Sequence, residues 1–134
     1  MLGDGEDMSA IALPAVPAAA RMARHFVRDS LQPCDDRMLD RITLCVSELV
    51  TNALDHASPP FELRLARRDD RLRVEMHDAS DRPPEPREFS PTSLRGRGMH
   101  LVDETSSTWG VDVLPAGKRV WAEFEDRAAS PNRF

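Results

Sequence analysis

Between residues 39 and 57, apolar side chains recur at steps of three and four: Leu39, Ile42, Val46, Leu49, Ala53 and Ala57. That spacing follows the turn of an α-helix and predicts one with a single apolar face. Asp35 or Asp36 can cap its start, and Ser58-Pro59-Pro60 ends it. Upstream, Ile11, Leu13 and Val16 suggest a short extended segment, interrupted by Pro14 and Pro17. A proline suits the first turn of a helix, where its missing N–H would have no partner. A first helix is therefore predicted from about Pro17 to Leu31, with Pro33 stopping it.

The period then changes to two. Phe61, Leu63 and Leu65 alternate with Glu62, Arg64 and Ala66, and Leu72, Val74 and Met76 alternate with Arg73, Glu75 and His77. With Asp69-Asp70 as the turn, this predicts an antiparallel hairpin with one buried face. From Ala79 to Arg97 four prolines sit among charges and apolar residues are scarce. On composition alone this stretch is equally a functional lid or a disordered insert. Gly98 introduces a short helix, MHLVDETS. Trp109–Leu114 and Arg119–Phe124 form a closing hairpin around Pro115-Ala116-Gly117. Residues 1–7 and 126–134 are expected to be loose, leaving 8–125 as one domain. The order of elements predicts an α/β sandwich with helices on one face of a sheet.

Composition narrows the setting. A chain of 134 residues, 40% hydrophobic and 31% charged, can bury one core without disulfides or a structural metal. Its net charge of -5 argues against direct binding of nucleic acid or an anionic membrane. Two cysteines, Cys34 and Cys45, are too few for a disulfide framework or a four-cysteine zinc site. They read as buried fillers in a reducing compartment. The acidic MLGDGEDM start does not resemble a secretory leader, and no long apolar run follows it. The expected location is the cytoplasm.

Three segments carry candidate chemistry. In Glu48-Leu-Val-Thr-Asn52-Ala-Leu-Asp-His56, the polar residues 48, 52 and 56 lie on successive helical turns, drifting by roughly 40° per step. A carboxylate, an amide and an imidazole beside the apolar face could polarise a nucleophile, hold Mg²⁺ through oxygen and touch phosphate. A solvated helix face is the plain alternative. Asp78 and Ser80 stand where the second strand ends. A carboxylate there can accept from an amino group such as adenine's, or simply cap the next backbone amide. Finally, Gly96-Arg97-Gly98-Met99-His100-Leu101 places two glycines at a helix start, where free N–H groups favour a phosphate. A metal site built from His56, His77, His100 and Asp78 is a weaker rival, because no recognised ligand spacing is present.

Together these segments resemble the GHKL (histidine-kinase-like) ATPase superfamily, specifically its anti-sigma-factor serine/threonine kinase branch of RsbW- and SpoIIAB-like proteins. SELVTNALDHA matches the N box, VEMHDAS the first glycine-box region and GRGMHLV the second. STWGVDVLPAGKRVWAEF resembles the branch's closing stretch, in which W-G is followed by G-K-x-V-W. The resemblance implies a two-layer fold of the Bergerat type, with a mixed, mostly antiparallel sheet. It also implies ATP and Mg²⁺ as cofactors. Glu48 would be the general base and Asn52 the Mg²⁺ ligand. His56 would lie near the nucleotide, and Asp78, with Ser80 after it, would read adenine. Gly96, Gly98 and the backbone of Met99, His100 and Leu101 would cradle phosphate. The 79–97 stretch would be the lid, with Arg95 and Arg97 adding positive charge.

The sequence departs from the pattern twice. Asp78-Ala-Ser80-Asp-Arg82 lacks the glycines of D-x-G-x-G. Arg119 stands where a threonine often supports the adenine pocket, which predicts altered contacts there. The branch's activity is phosphorylation of a STAS-domain anti-anti-sigma protein and sequestration of an RNA polymerase sigma factor, usually as a homodimer. A second expectation is a nucleotide-binding regulatory module without phosphotransfer. A third is an α/β partner protein that binds no nucleotide.

Overall fold

The computed structural model describes residues 7–32, 34–80 and 97–125. The order is β1 (Asp7–Leu13), α1 (Ala19–Ser30), α2 (Asp36–His56), β2 (Phe61–Arg68), β3 (Arg71–Asp78), α3 (Arg97–Thr105), β4 (Thr108–Leu114) and β5 (Gly117–Glu125). The strands form one sheet in the order β1-β2-β3-β5-β4. Each of its ladders is antiparallel, so the expected mixed sheet has no parallel pair among the described residues. The reason is topological. β4 runs in the same direction as β3, but β5 returns between them and separates the two.

α2 begins as the sequence predicts. The Asp35 carboxylate accepts from the Met38 backbone N–H at 3.1 Å and satisfies one of the unpaired donors of the first turn. The helix ends at His56, one residue before the last predicted apolar position. Ile42, Cys45, Val46 and Val50 are fully buried along it. Burying each of the larger aliphatic side chains stabilises the fold by about 1.5–3 kcal/mol. α1 starts at Ala19, two residues beyond Pro17, and buries Ala19, Ala23 and Val27 at four-residue spacing. Its small side chains let the helix lie close to its neighbours, α2 and β1.

The period-two segments become β2 and β3, and Asp69 takes the positive φ (53°) that their turn requires. Aspartate tolerates that conformation better than most residues because its short side chain can bond locally. The Ile11–Leu13 segment is longer than predicted. It forms an edge strand from Asp7, paired with all but the last residue of β2. Among the described residues, no helix is long and apolar enough to cross a membrane.

The sheet has two unlike faces. Leu72, Val74 and Met76 of β3 pair with Phe124, Ala122 and Val120 of β5 and are buried with them on the helix side. The opposite face carries charge that is largely neutralised within itself. Arg73 donates to Glu75 at 2.7 Å and to Glu123 at 3.0 Å, and its guanidinium lies 4.3 Å from the Trp121 ring centroid. His77 shares a hydrogen bond with Glu75 at 2.8 Å. Burial alone would raise the Glu75 pKa, but hydrogen bonds with His77 and Arg73 outweigh it and hold the carboxyl below its usual range. These cross-strand pairs suit an antiparallel sheet with one solvated side.

Candidate functional site

The polar stripe of α2 borders the core, as its spacing requires. Glu48, Asn52 and His56 are each half-buried, beside the buried Leu49 and Ala53. Asn52 Nδ2 donates to the Glu48 backbone carbonyl at 3.0 Å. The helix itself thus holds the amide, and among the described residues its Oδ1 accepts no hydrogen bond. A single neutral oxygen of this kind suits Mg²⁺, which keeps most of its other positions for water and phosphate. His56 adds an unusual feature: its Nε2 is buried and, among the described residues, has no hydrogen-bond partner. Such an atom is costly to leave unpaired. It is a donor or acceptor held ready at the end of the stripe.

The end of β3 is tied to the segment that follows α2. The Ala79 backbone N–H donates to the Ser58 carbonyl at 2.9 Å, joining the segment after α2 to the segment after β3. Asp78 is buried, on the inner face by its parity with Met76 and Val74. Its Oδ1 accepts from the Ser80 backbone N–H at 2.8 Å, so the local turn foreseen from the sequence is present. Ser80 is buried as well. The Asp78 carboxylate has a second partner that the sequence reading missed. Lys118 Nζ lies 3.1 Å from Oδ2 and 3.3 Å from Oδ1.

This corrects the expectation for Arg119. In the β3–β5 register Asp78 faces Lys118, whereas Arg119 faces His77 on the other side of the sheet. There the Arg119 Nε donates to Asp112 Oδ2 at 2.8 Å, which with lesser contributions holds the Asp112 carboxyl below its usual range. Arg119 therefore does not touch Asp78. Strand parity would have revealed this, because Lys118 shares its face with Val120, Ala122 and Phe124. His77 is likewise turned away from Asp78, toward Glu75. The metal rival built on both is not formed, and among the described residues no group of three or more His, Cys, Asp or Glu could hold a metal ion.

Two glycines shape this end of the sheet. A Cβ at Gly117 would sit 1.9 Å from the Asp78 carbonyl oxygen, so only glycine lets β5 enter so close to β3. At Gly110 a Cβ would meet the Trp121 ring at 2.6 Å. The two residues are directly paired across β4 and β5. The W-G and V-W motifs are thus two halves of one stack, with Arg73 over the ring.

The second glycine-box segment opens α3, which starts at Arg97 and so takes in Gly98. Arg97, Met99 and His100 lie in its first turns, with the half-buried Leu101 next. Arg95, Gly96 and most of the stretch 79–97 expected as a lid, namely 81–96, lie outside the described residues, as do 1–6 and 126–134. α3 packs against α2, with Val102 fully buried. At its far end, Arg41 Nη2 and Nε donate to the Thr105 carbonyl at 2.6 and 3.2 Å. A cation there satisfies carbonyls left open at a helix C-terminus. Cys45 is buried below, its thiol pushed up to about 12, chiefly by desolvation. It is a filler, as its residue type suggested.

Comparison with known proteins agrees with this architecture. The RsbU and RsbW domains of Rv1364c from Mycobacterium tuberculosis superpose with a TM-score of 0.68 at 19% identity, over 89% of this chain. The chain spans only 32% of that protein's structure. The histidine kinase domain of the Erythrobacter litoralis EL346 blue-light activated histidine kinase superposes with a TM-score of 0.56 at 20% identity. That match covers 94% of this chain and 70% of the other. At such identities the likeness is one of fold. No curated protein matches the sequence. Residues 13–124, most of the chain, match the histidine kinase-like ATPase domain. The chain, with its α/β sandwich, thus belongs to the histidine kinase-like ATPase domain family.

Proposed function

We propose that the protein is an ATP-dependent serine/threonine kinase that acts as an anti-sigma factor. Its acceptor would be a hydroxyl of a STAS-domain anti-anti-sigma partner, and it would sequester an RNA polymerase sigma factor, working as a cytoplasmic homodimer. The observation that supports this reading is the junction of the segment after α2, where the polar stripe ends, with the segment after β3, made by the Ala79–Ser58 hydrogen bond. The RsbW domain among the fold neighbours supports the choice of branch.

The placement of α3 supports it too. Thr105 lies on Arg41, only five residues into α2. A nine-residue helix is about 13 Å long. In this reading it lies along α2 and extends toward Glu48 and Asn52, so that its N-terminal amides would serve the phosphate end of the site.

Phosphoryl transfer asks the protein for position and charge neutralisation. Mg-ATP, when bound, would supply the phosphoryl group and the charge-neutralising metal. Asn52 Oδ1 would hold that metal, and the backbone amides of Gly98, Met99, His100 and Leu101 at the start of α3 would face the phosphates. His56 Nε2 offers a further contact there. Asp78, buttressed by Ser80, reads the base. Glu48 orients the acceptor hydroxyl and takes its proton. Arg95, Gly96 and Arg97 belong to the lid side of the site.

Incubation with labelled Mg-ATP and candidate STAS-domain proteins tests the proposal. Phosphate transfer is expected, with Glu48→Ala slower by about 10²–10⁴-fold and nucleotide binding retained. Binding of Mg-ADP without transfer to any acceptor would favour the regulatory module, a reading for which the altered first glycine box speaks. A chain that binds no nucleotide would overturn both.

A further inference from the structure

The inner face of the β3–β5 pair is apolar for three successive rungs, Leu72/Phe124, Val74/Ala122 and Met76/Val120. The fourth rung is Asp78/Lys118, a carboxylate and an ammonium whose side chains are only 2% and 6% exposed. Continuing the apolar pattern would be the cheaper solution for the fold. Replacing a buried ion pair with packed hydrocarbon is often neutral or stabilising, because desolvation offsets much of the attraction. This pair also stands at the end of β3, which the Ala79–Ser58 hydrogen bond ties to the segment after α2.

The hydrogen-bond inventory shows what the pair has left to offer. Oδ1 of Asp78 accepts from both the Ser80 amide and Lys118, whereas Oδ2 has Lys118. A carboxylate has about four acceptor sites, so Oδ2 retains one. An ammonium has three donors, and among the described residues Lys118 is bonded only to Asp78. Gly117 fixes the arrangement by holding the start of β5 against the Asp78 carbonyl. The result is an acceptor and a donor side by side on a buried edge.

We propose that Lys118 is a base-selecting residue that works as a unit with Asp78: the carboxylate accepts from the exocyclic amino group of adenine while the lysine donates to the adjacent ring nitrogen, N1. This rests on the nucleotide-binding reading above and adds a direct reader to it. Discrimination is strong when a site built to bond a group meets an analogue that lacks it, because the buried partner is left unpaired.

The test is calorimetric titration of the full chain with Mg-ADP, Mg-1-deaza-ADP, which lacks the N1 acceptor, and the Mg-diphosphate of purine riboside, which lacks the amino group. Diphosphates avoid turnover. The wild type is expected to bind each analogue about tenfold or more weakly than ADP. Lys118→Met should bind ADP and 1-deaza-ADP equally while still preferring ADP to the purine analogue, because Asp78 remains. Lys118→Arg, which keeps a donor, should restore preference for N1. A purely structural role for Lys118 would weaken all three ligands in parallel and leave their ratios unchanged, which would overturn the proposal. So would a wild type that does not distinguish ADP from 1-deaza-ADP, and that arm decides even if Lys118→Met does not fold. A wild type that binds none of the three would instead reject the nucleotide-binding reading itself.

Discussion

Gly117→Ala perturbs the site at the backbone. The added methyl would lie 1.9 Å from the Asp78 carbonyl oxygen and 3.0 Å from both the Asp78 carbonyl carbon and the Ala79 Cα, whereas real Cβ atoms essentially never approach within 3.0 Å. The overlap exceeds an ångström and involves main chain, so no rotamer change relieves it. Gly117 also has φ of +157°, which L side chains rarely adopt and which costs of order 1–3 kcal/mol. The start of β5 must retreat from β3. The next rung is Asp78/Lys118, and separating that buried pair leaves two poorly compensated charges. Alanine's smaller entropy in the unfolded chain returns only about 0.4–1 kcal/mol. The net loss should be about 3–5 kcal/mol, a large part of the roughly 5–15 kcal/mol that holds a domain together. In urea, with a slope near 2 kcal/mol/M, the midpoint should fall by about 1.5–2.5 M. A variant whose midpoint lies within about 0.3 M of wild type, with unchanged slope, would refute this account of the β3–β5 junction.

The remaining predictions use the same reasoning. Gly110→Ala meets a side chain rather than backbone, but a pinned one, since Trp121 packs with Arg73. The loss should be about 1–3 kcal/mol, and Trp121→Leu in the same chain should recover much of it in thermal unfolding. Glu75 has a folded pKa below its unfolded value, so its contribution to stability is present above about pH 4.5 and is lost as pH falls through the folded pKa. Glu75→Gln should therefore flatten the fall in urea midpoint on acidification below about pH 4.5, and an unchanged slope would count against the network. The Cys45 thiol, pushed up to about 12 and fully buried, should resist alkylation at pH 8 in the folded protein and react once urea unfolds it. Labelling at Cys45 without urea would show that this part of the core opens.

Much of the fold was legible in the order of residues because its periods are local. The three- and four-residue steps of α2, the Asp35 cap and the alternation of β2 and β3 each involve neighbours within a few positions, where backbone geometry alone fixes which side chains share a face. The polar stripe 48/52/56 was legible for the same reason. β1 was underread because an edge strand draws its definition from its partner: its ladder to β2 runs from Asp7 to Leu13 and pairs each residue with one about fifty or sixty positions away.

The sequence by itself settled which residues could face inward on each element, and even the parity that puts Asp78 and Lys118 on the same side of their strands. Only the tertiary structure decided that β5 rather than β4 lies against β3, in a register that sets Lys118 opposite Asp78 and carries Arg119 to the outer face. The physical reason is that periodicity is a property of one segment, whereas register between strands forty residues apart depends on how two faces pack together. At this junction Gly117 permits the close backbone approach that the register brings.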